Sequence, residues 1–316
     1  SQFIDALSYG NTRAALDMFN QFVVSGAVDS TKILQVQRVR PTRGYTVAEH
    51  EFIKSVMLGD YQFYKHDRSP VVSLFTTSPH STATNLTSIL ILRYLRDRVD
   101  NAHHYGTGFV AIEDLVSSFR EMFGEVEDVV FHANRMTIGR LVELDNRQLE
   151  SIDAAQFIRI TRSGRYYLET LSSRFQYLDL VSLDTPLRNG DMRDELLATI
   201  NGRSLYDRFE RVEIFLIYLW REERRVIDLV PNKLFVDVFG ESIVVDLWKR
   251  YRRDQARTIE NVNLAFDDVA DMIARVRNAH LSDAEREAEF WSSLSAPVRA
   301  PKKRVVRASR GPRRKR

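Results

Sequence analysis

The chain has 316 residues, of which 44% are hydrophobic, so its length allows two or three domains with ordinary apolar cores. The absence of cysteine excludes a disulfide framework and any zinc site with Cys ligands. No basic segment followed by a long apolar run opens the chain, and its longest apolar stretch, Ile214 to Trp220, is too short to span a bilayer. We therefore expect a cytoplasmic protein that does not enter a membrane.

The formal net charge of +3 conceals an uneven distribution along the chain. Ten of the 46 Lys and Arg residues, and no acid, lie between Arg299 and Arg316. Removing those ten leaves 36 basic against 43 acidic residues, a net charge of −7 for the remainder. The basic character therefore belongs to the C-terminal segment, which excludes a protein that is basic over its whole surface.

Residues 1–60 are predicted to form a helical segment. Apolar residues recur at helical spacing in two short stretches over residues 1–28, which Ser8-Tyr9-Gly10-Asn11 separates because Gly and Asn tolerate turn conformations. The same spacing predicts a further helix from about Thr46. Residues 61–84 are rich in Pro, Ser and Thr, and we expect a linker there.

Residues 85–180 have the clearest pattern and are predicted to form one domain. Apolar stripes at helical spacing predict three helices, which run over Asn85–Arg98, over Ala111–Phe123 and from Glu125 to about Leu144. Two short strands are predicted after them, at Leu149–Ile152 and at Gln156–Ile160. Thr161 can then cap a closing helix.

This order of three helices, a β-hairpin and a closing helix resembles bacterial winged-helix proteins. The stretch Ile160-Thr161-x-x-Gly164-x-x-Tyr167-Leu168-x-x-Leu171 is similar to the junction between their last strand and last helix. The resemblance implies a DNA-binding module whose third helix enters the major groove and whose wing, residues 153–162, contacts phosphate. The residues then expected to contact nucleic acid are His132, Asn134, Arg135 and Arg140 on the helix, and Arg159 and Arg162 on the wing.

A protein-interaction role stays open beside base reading. Winged helices also serve as protein-interaction modules. The third helix begins with the acids Glu125, Glu127 and Asp128, which repel phosphate at the end where a reader helix normally approaches DNA.

A second resemblance lies near the start of the chain. Tyr9-Gly10-Asn11-Thr12-Arg13-Ala14-Ala15-Leu16 resembles the sensor-2 region in the helical lid of AAA+ and related STAND ATPases. There a Gly-x-x-Arg pattern opens a lid helix whose Arg touches the terminal phosphates of the nucleotide, and a winged helix often follows. The resemblance implies nucleotide-sensing roles for Gly10 and Arg13. The alternative is an ordinary helix with a solvated Arg13.

The chain lacks the loop that would bind the nucleotide's phosphates. No Gly is followed by Lys, so a Walker A motif is absent, and we expect no cofactor in this chain. ATP and magnesium are expected only with an upstream nucleotide-binding core. The start without Met, inside an amphipathic pattern, favours a fragment of a larger ATPase that oligomerises. The chain would then be its nucleic-acid-binding and regulatory region; the alternative is a non-enzymatic winged-helix regulator or protein-interaction adaptor.

Residues 181–296 are predicted to form a helical domain. Pro and Gly make 183–202 a connection, and apolar stripes predict several helices after it. These helices are expected from Leu205, over Ser242–Ile259, over Phe266–His280 and after Ser282. No metal site is expected, because the adjacent pair His103-His104 cannot share a helix face.

The tail, residues 297–316, is predicted to be disordered by its composition. A flexible basic segment binds polyanions with a steep salt dependence and little sequence preference. Nucleic acid, with DNA first, is the expected partner; an acidic protein surface is the alternative. The cations expected to bind are Lys302, Lys303, Arg304, Arg313, Arg314, Lys315 and Arg316. The predicted fold is thus mainly α: a helical lid segment, a winged helix-turn-helix of α+β type and a C-terminal helical region with a disordered basic tail.

Overall fold

The computed structural model describes residues 2–8, 10–25, 49–79, 84–101, 108–123, 127–146, 148–202, 204–229 and 242–263. The fold below is that of the compact unit Ser1–Asn261 and the helix that ends it. The helices predicted at 266–280 and after Ser282, and the disorder predicted for 297–316, lie outside the described residues.

Eleven α-helices are present in the described residues, and the prediction of a mainly helical fold is confirmed. In chain order they are α1 (Gln2–Ser8), α2 (Thr12–Val24), α3 (Glu49–Leu58), α4 (Thr87–Asn101), α5 (Ile112–Phe123), α6 (Glu127–Ile138), α7 (Arg162–Glu169), α8 (Phe175–Asp184), α9 (Gly190–Ala198), α10 (Leu205–Leu229) and α11 (Ile243–Asn263).

A small antiparallel sheet accompanies helices α4 to α7. Its strands are β1 (Val110–Ala111), β2 (Val142–Leu144) and β3 (Phe157–Ile160), in the order β1-β3-β2. Val110 lies opposite Ile158, and Val142 lies opposite Ile160. Ile158 and Ile160 are buried because alternate residues of a strand share one face, and that face packs on the helices.

The third predicted helix is shorter than the sequence pattern indicated. It ends at Ile138 rather than near Leu144, and Arg140 follows with a φ of 58°, which breaks the helix. The residues Val142 to Leu144, which carry the apolar–polar alternation of a strand, then pair with β3. The strand predicted at Leu149–Ile152 is wrong, because Ile152 begins a short 3-10 turn and β2 takes its place in the hairpin.

Residues 183–202 are not only a connection, because α9 forms within them. The side chain of Asn189 accepts a hydrogen bond from the backbone N–H of Met192 and caps this helix. The break predicted between the first two helices is confirmed. Gly10 there has a φ of 72°, and the Asn11 side chain caps α2.

The predicted lid segment and the predicted winged-helix domain share one apolar core. The ring of Phe3 in α1 lies 5.6 Å from the ring of Phe52 in α3 and 6.2 Å from the ring of Tyr166 in α7. The hydroxyl of Ser163 donates to the carbonyl oxygen of Ala6. The division of the chain into five parts stays a prediction, but these helices pack directly against each other.

Residues 59–79 form neither helix nor strand, as predicted, yet part of this segment is buried in the core. Three tyrosine hydroxyls hold its backbone. Tyr64 donates to the Val71 carbonyl at 2.7 Å, and the Tyr167 hydroxyl accepts from the N–H of Val72 at 3.1 Å. The third, Tyr177, accepts from the N–H of Leu74 at 2.8 Å and donates to the Val72 carbonyl at 2.9 Å. A segment without regular structure is thereby fixed against α7 and α8.

Replacing Tyr177 by Phe is expected to lower the free energy of unfolding by about 1–3 kcal/mol, because it leaves a buried N–H and a carbonyl without partners. Urea denaturation measures this loss. Tyr206→Phe is the matched control, since Tyr206 is exposed and forms no hydrogen bond within the described residues; it should change stability by less than about 0.5 kcal/mol. Equal losses in the two variants would contradict the role of the Tyr177 hydroxyl.

Candidate nucleic-acid interface

The junction between β3 and α7 brings the chain back onto α6. The hydroxyl of Thr161 accepts from the N–H of Gly164 at 3.0 Å, which caps α7. A Cβ at Gly164 would lie only 2.1 Å from the carbonyl oxygen of Leu141. The glycine therefore allows α7 to approach the start of β2 at backbone distance, and this explains the motif seen in the sequence.

The helix α6 buries one of the residues that were expected to face outward. His132 is fully buried, so its predicted outward orientation is wrong. It shares a helix face with Val129 and Met136, both buried, because residues three and four positions apart lie side by side. Its Nδ1 lies 2.8 Å from the hydroxyl of Ser88, and burial lowers the pKa of the imidazole to about 3. A neutral ring inside the core cannot contact nucleic acid.

Two further candidates on α6 are half-buried. The side-chain oxygen of Asn134 accepts from the backbone N–H of Ile152 at 2.7 Å and holds the loop that leads to β3. Arg135 is half-buried and lines a cavity beside α8 together with Phe131. The exposed large apolar residues of α6 are Phe131, which is 36% exposed, and Ile138, which is 68% exposed.

Three arginines remain near the end of α6, β3 and α7. Arg140 is exposed and makes no side-chain hydrogen bond or ion pair within the described residues. Arg159 pairs with the Glu143 carboxylate of the neighbouring strand. Arg162 is the first residue of α7 rather than part of the wing, and its guanidinium lies 2.7 Å from the carboxylate of Asp5. Of the three, only Arg140 has no carboxylate partner within the described residues.

The loop between β2 and β3 carries acids on its exposed positions. These are Asp145, Glu150 and Asp153. Phe157 on β3 is exposed as well. The three acids repel a phosphate backbone at the loop where a wing would contact it.

The nucleotide-sensing candidates lie at the start of α2. The Asn11 side chain accepts from the N–H groups of Arg13 and Ala14, at 2.9 and 3.3 Å. The side chain of Arg13 is exposed and has no partner among the described residues. The exposed residues that follow it along α2 include the apolar Leu16, Phe19 and Val23. Nucleotide sensing by Gly10 and Arg13 stays a prediction.

The tail cations, from Lys302 to Arg316, lie outside the described residues, so their role also stays a prediction. Within the described part of the chain, no group of three His, Asp or Glu side chains could hold a metal ion. No helix among the same residues is long and apolar enough to cross a membrane.

Sequence reasoning missed the exposed apolar pair on α6. Phe131 and Ile138 stand seven residues apart, which places them on one helix face. This spacing is the sequence signal that could have identified the pair. No sequence signal indicates the cavity beside Arg135, because two of its lining residues, His66 and Asp184, are 118 positions apart.

Comparison of the chain with protein-family models, with curated proteins and with solved structures found no match.

Proposed function

We propose that this chain is a winged-helix binding protein whose folded unit contacts protein and whose basic tail binds nucleic acid. Three helices (α4 to α6), a β-hairpin (β2 and β3) and a closing helix (α7) follow one another in the order on which the winged-helix interpretation rests. The junction residues Thr161 and Gly164 act there as a helix cap and a point of close backbone approach.

The proposal that the folded unit contacts protein rests on the residues exposed on α6. A helix that reads bases needs Arg, Lys, Asn or Gln free on its outer face. Here His132 is buried, Asn134 holds a loop, and Phe131 and Ile138 are exposed. Exposed aromatic and aliphatic side chains on one helix face suit contact with another protein.

The sequence of the tail supports the second half of the proposal. Seven clustered cations without a nearby acid form the strongest positive segment of the chain, while the remainder is net negative. Binding that depends on about six or more phosphate contacts weakens roughly a thousandfold between about 50 and 200 mM salt. The same tail binds duplexes of any sequence, because phosphates carry no base information.

The test is binding of a labelled non-specific duplex across a salt series. We expect the intact chain to bind with a steep salt dependence, and a chain ending at Ala296 to lose at least about a hundredfold in affinity at low salt. The matched control is a full-length variant in which Gln replaces the seven clustered cations. It removes the charge of these residues while the tail keeps its length. If the chain ending at Ala296 binds as tightly as the intact one, the folded unit holds the duplex and the proposal is wrong.

A second candidate function is the regulatory region of an ATPase, and the exposure of Arg13 favours it. A guanidinium at the start of a helix, without a partner in the described structure, can reach a phosphate on a neighbouring domain. A Walker A motif roughly 150–250 residues before Ser1 in the coding sequence would support this function. In such a protein Arg13→Ala should reduce ATP hydrolysis, whereas an initiation codon directly before Ser1 would eliminate the candidate.

A further inference from the structure

A cavity of about 570 Å³ opens between the segment of residues 66–77, helix α6 and the end of α8. Its volume falls within the roughly 300–1,000 Å³ of small-molecule sites. Phe131 forms one wall, with Leu183 and Pro186 among the other apolar lining residues. Flat apolar walls of this kind suit a planar ring.

Arg135 places a cation in this cavity, where the Asp184 carboxylate of the same lining also acts on it. Its side chain is half-buried, and its Nη2 atom is buried without a hydrogen-bond partner. Within the described residues the guanidinium makes no ion pair at all. Burial lowers the pKa of Arg135, which reflects the cost of holding this charge away from water. A ligand anion in the cavity would therefore meet the accessible part of the guanidinium and not the buried Nη2.

The one carboxylate in the lining is already engaged. Asp184 Oδ2 accepts from the backbone N–H of His66 at 3.2 Å and lies 2.9 Å from the Nδ1 of the same residue. Thr76 and Thr77 also line the cavity, and neither hydroxyl forms a hydrogen bond within the described residues. A guanidinium and two hydroxyls are thus available as donors beside an apolar wall.

We propose that this cavity binds a small organic oxyanion, with its anionic group on the Arg135 guanidinium and a planar apolar group against Phe131. Arginine suits such a group, because its guanidinium keeps its charge and donates charge-assisted hydrogen bonds to a carboxylate or a phosphate. The threonine hydroxyls donate to the remaining oxygens. Arg135 is then a ligand-binding residue and not a reader of bases.

The experiment is calorimetric titration of the full chain with four probes. Phenyl phosphate and benzoate carry both a ring and an anion, benzyl alcohol carries a ring alone, and inorganic phosphate carries an anion alone. We expect phenyl phosphate or benzoate to bind at least tenfold more tightly than both single-feature probes. Which of the two binds tells whether the site takes a phosphate ester or a carboxylate. If neither exceeds benzyl alcohol and inorganic phosphate, the proposal is overturned.

Variants then assign the binding to Arg135. Arg135→Gln should weaken the better probe at least tenfold, whereas Arg120→Gln, which removes an exposed arginine of α5, should leave its affinity unchanged. Phe131→Ala and Thr77→Val keep Arg135 and test the same cavity should Arg135→Gln fail to fold. Binding that is insensitive to Phe131→Ala and Thr77→Val, or equal in Arg135→Gln and Arg120→Gln, would place the probe elsewhere and refute the site.

Discussion

Replacing His132 by Gln is expected to make the protein less sensitive to acid. A large part of the loss in free energy of unfolding that acidification causes should be absent in this variant. The imidazole is fully buried, and its Nε2 has no hydrogen-bond partner within the described residues. Burial, with a smaller contribution from the nearby Arg135 charge, lowers its pKa to about 3. In the unfolded chain a histidine titrates at about 6.5. Between these two values the unfolded state binds a proton that the folded state does not.

The direction of the pH effect follows from this difference. As the pH falls below about 6.5 the unfolded state gains the proton and becomes more favourable, at about 1.4 kcal/mol per pH unit. The contribution of neutral His132 to stability is fully present above pH 6.5 and is lost progressively towards pH 3. Between pH 6.5 and 4.5 the loss amounts to about 2–3 kcal/mol. Gln cannot take up the proton, so the variant should lack this part of the slope.

Urea denaturation between pH 7.5 and 4.5 measures the effect as a slope, so the cost of the substitution at neutral pH does not enter the comparison. His50→Gln is the matched control, because His50 is exposed at the start of α3. We expect its pH slope to equal that of the unsubstituted protein. If His132→Gln has that slope as well, His132 is not a neutral core residue.

Replacing Gly164 by Ala is expected to lower the free energy of unfolding by at least about 3 kcal/mol, at the upper end for an overpacked core. The added Cβ would lie 2.1 Å from the Leu141 carbonyl oxygen and 2.9 Å from a carbon of Ile160. That same oxygen accepts from the N–H and the hydroxyl of Thr161, both at 3.0 Å. Because the obstacle is backbone, α7 must move away and these hydrogen bonds must lengthen.

Gly190→Ala is the control for the loss of a glycine. Gly190 is also helical, but a Cβ there meets only the end of the Arg193 side chain, at 4.0 Å. The unfolded chain loses conformational freedom in both variants, so Gly190→Ala should be neutral or stabilise by up to about 1 kcal/mol. Chemical denaturation of both proteins decides the matter. Similar stabilities would mean that α7 and β2 are not in backbone contact.

Local signals in the sequence were enough for most helices. The turn at Gly10 and Asn11, the cap at Thr161 and the apolar stripe of α10 depend on neighbours within one or two helical turns, so the pattern alone locates them. The end of α6 was missed because Leu141 continues its apolar stripe at helical spacing. Only the pairing of Val142 to Leu144 with β3 makes these residues a strand.

At the candidate site, too, some features could be predicted from the sequence and others could not. The sequence by itself determined that a helix with a buried stripe begins near residue 127, although not where it ends, and that the cations concentrate in the tail. Only the tertiary structure decided that His132 lies against Ser88, that Asn134 holds a loop and that Arg135 faces a cavity. The reason is that helical periodicity specifies which residues share a face, but what covers each face depends on segments distant in sequence. Ser88, for example, contacts His132 from 44 residues away in the sequence. Likewise, Asp184 contacts His66 from 118 residues away.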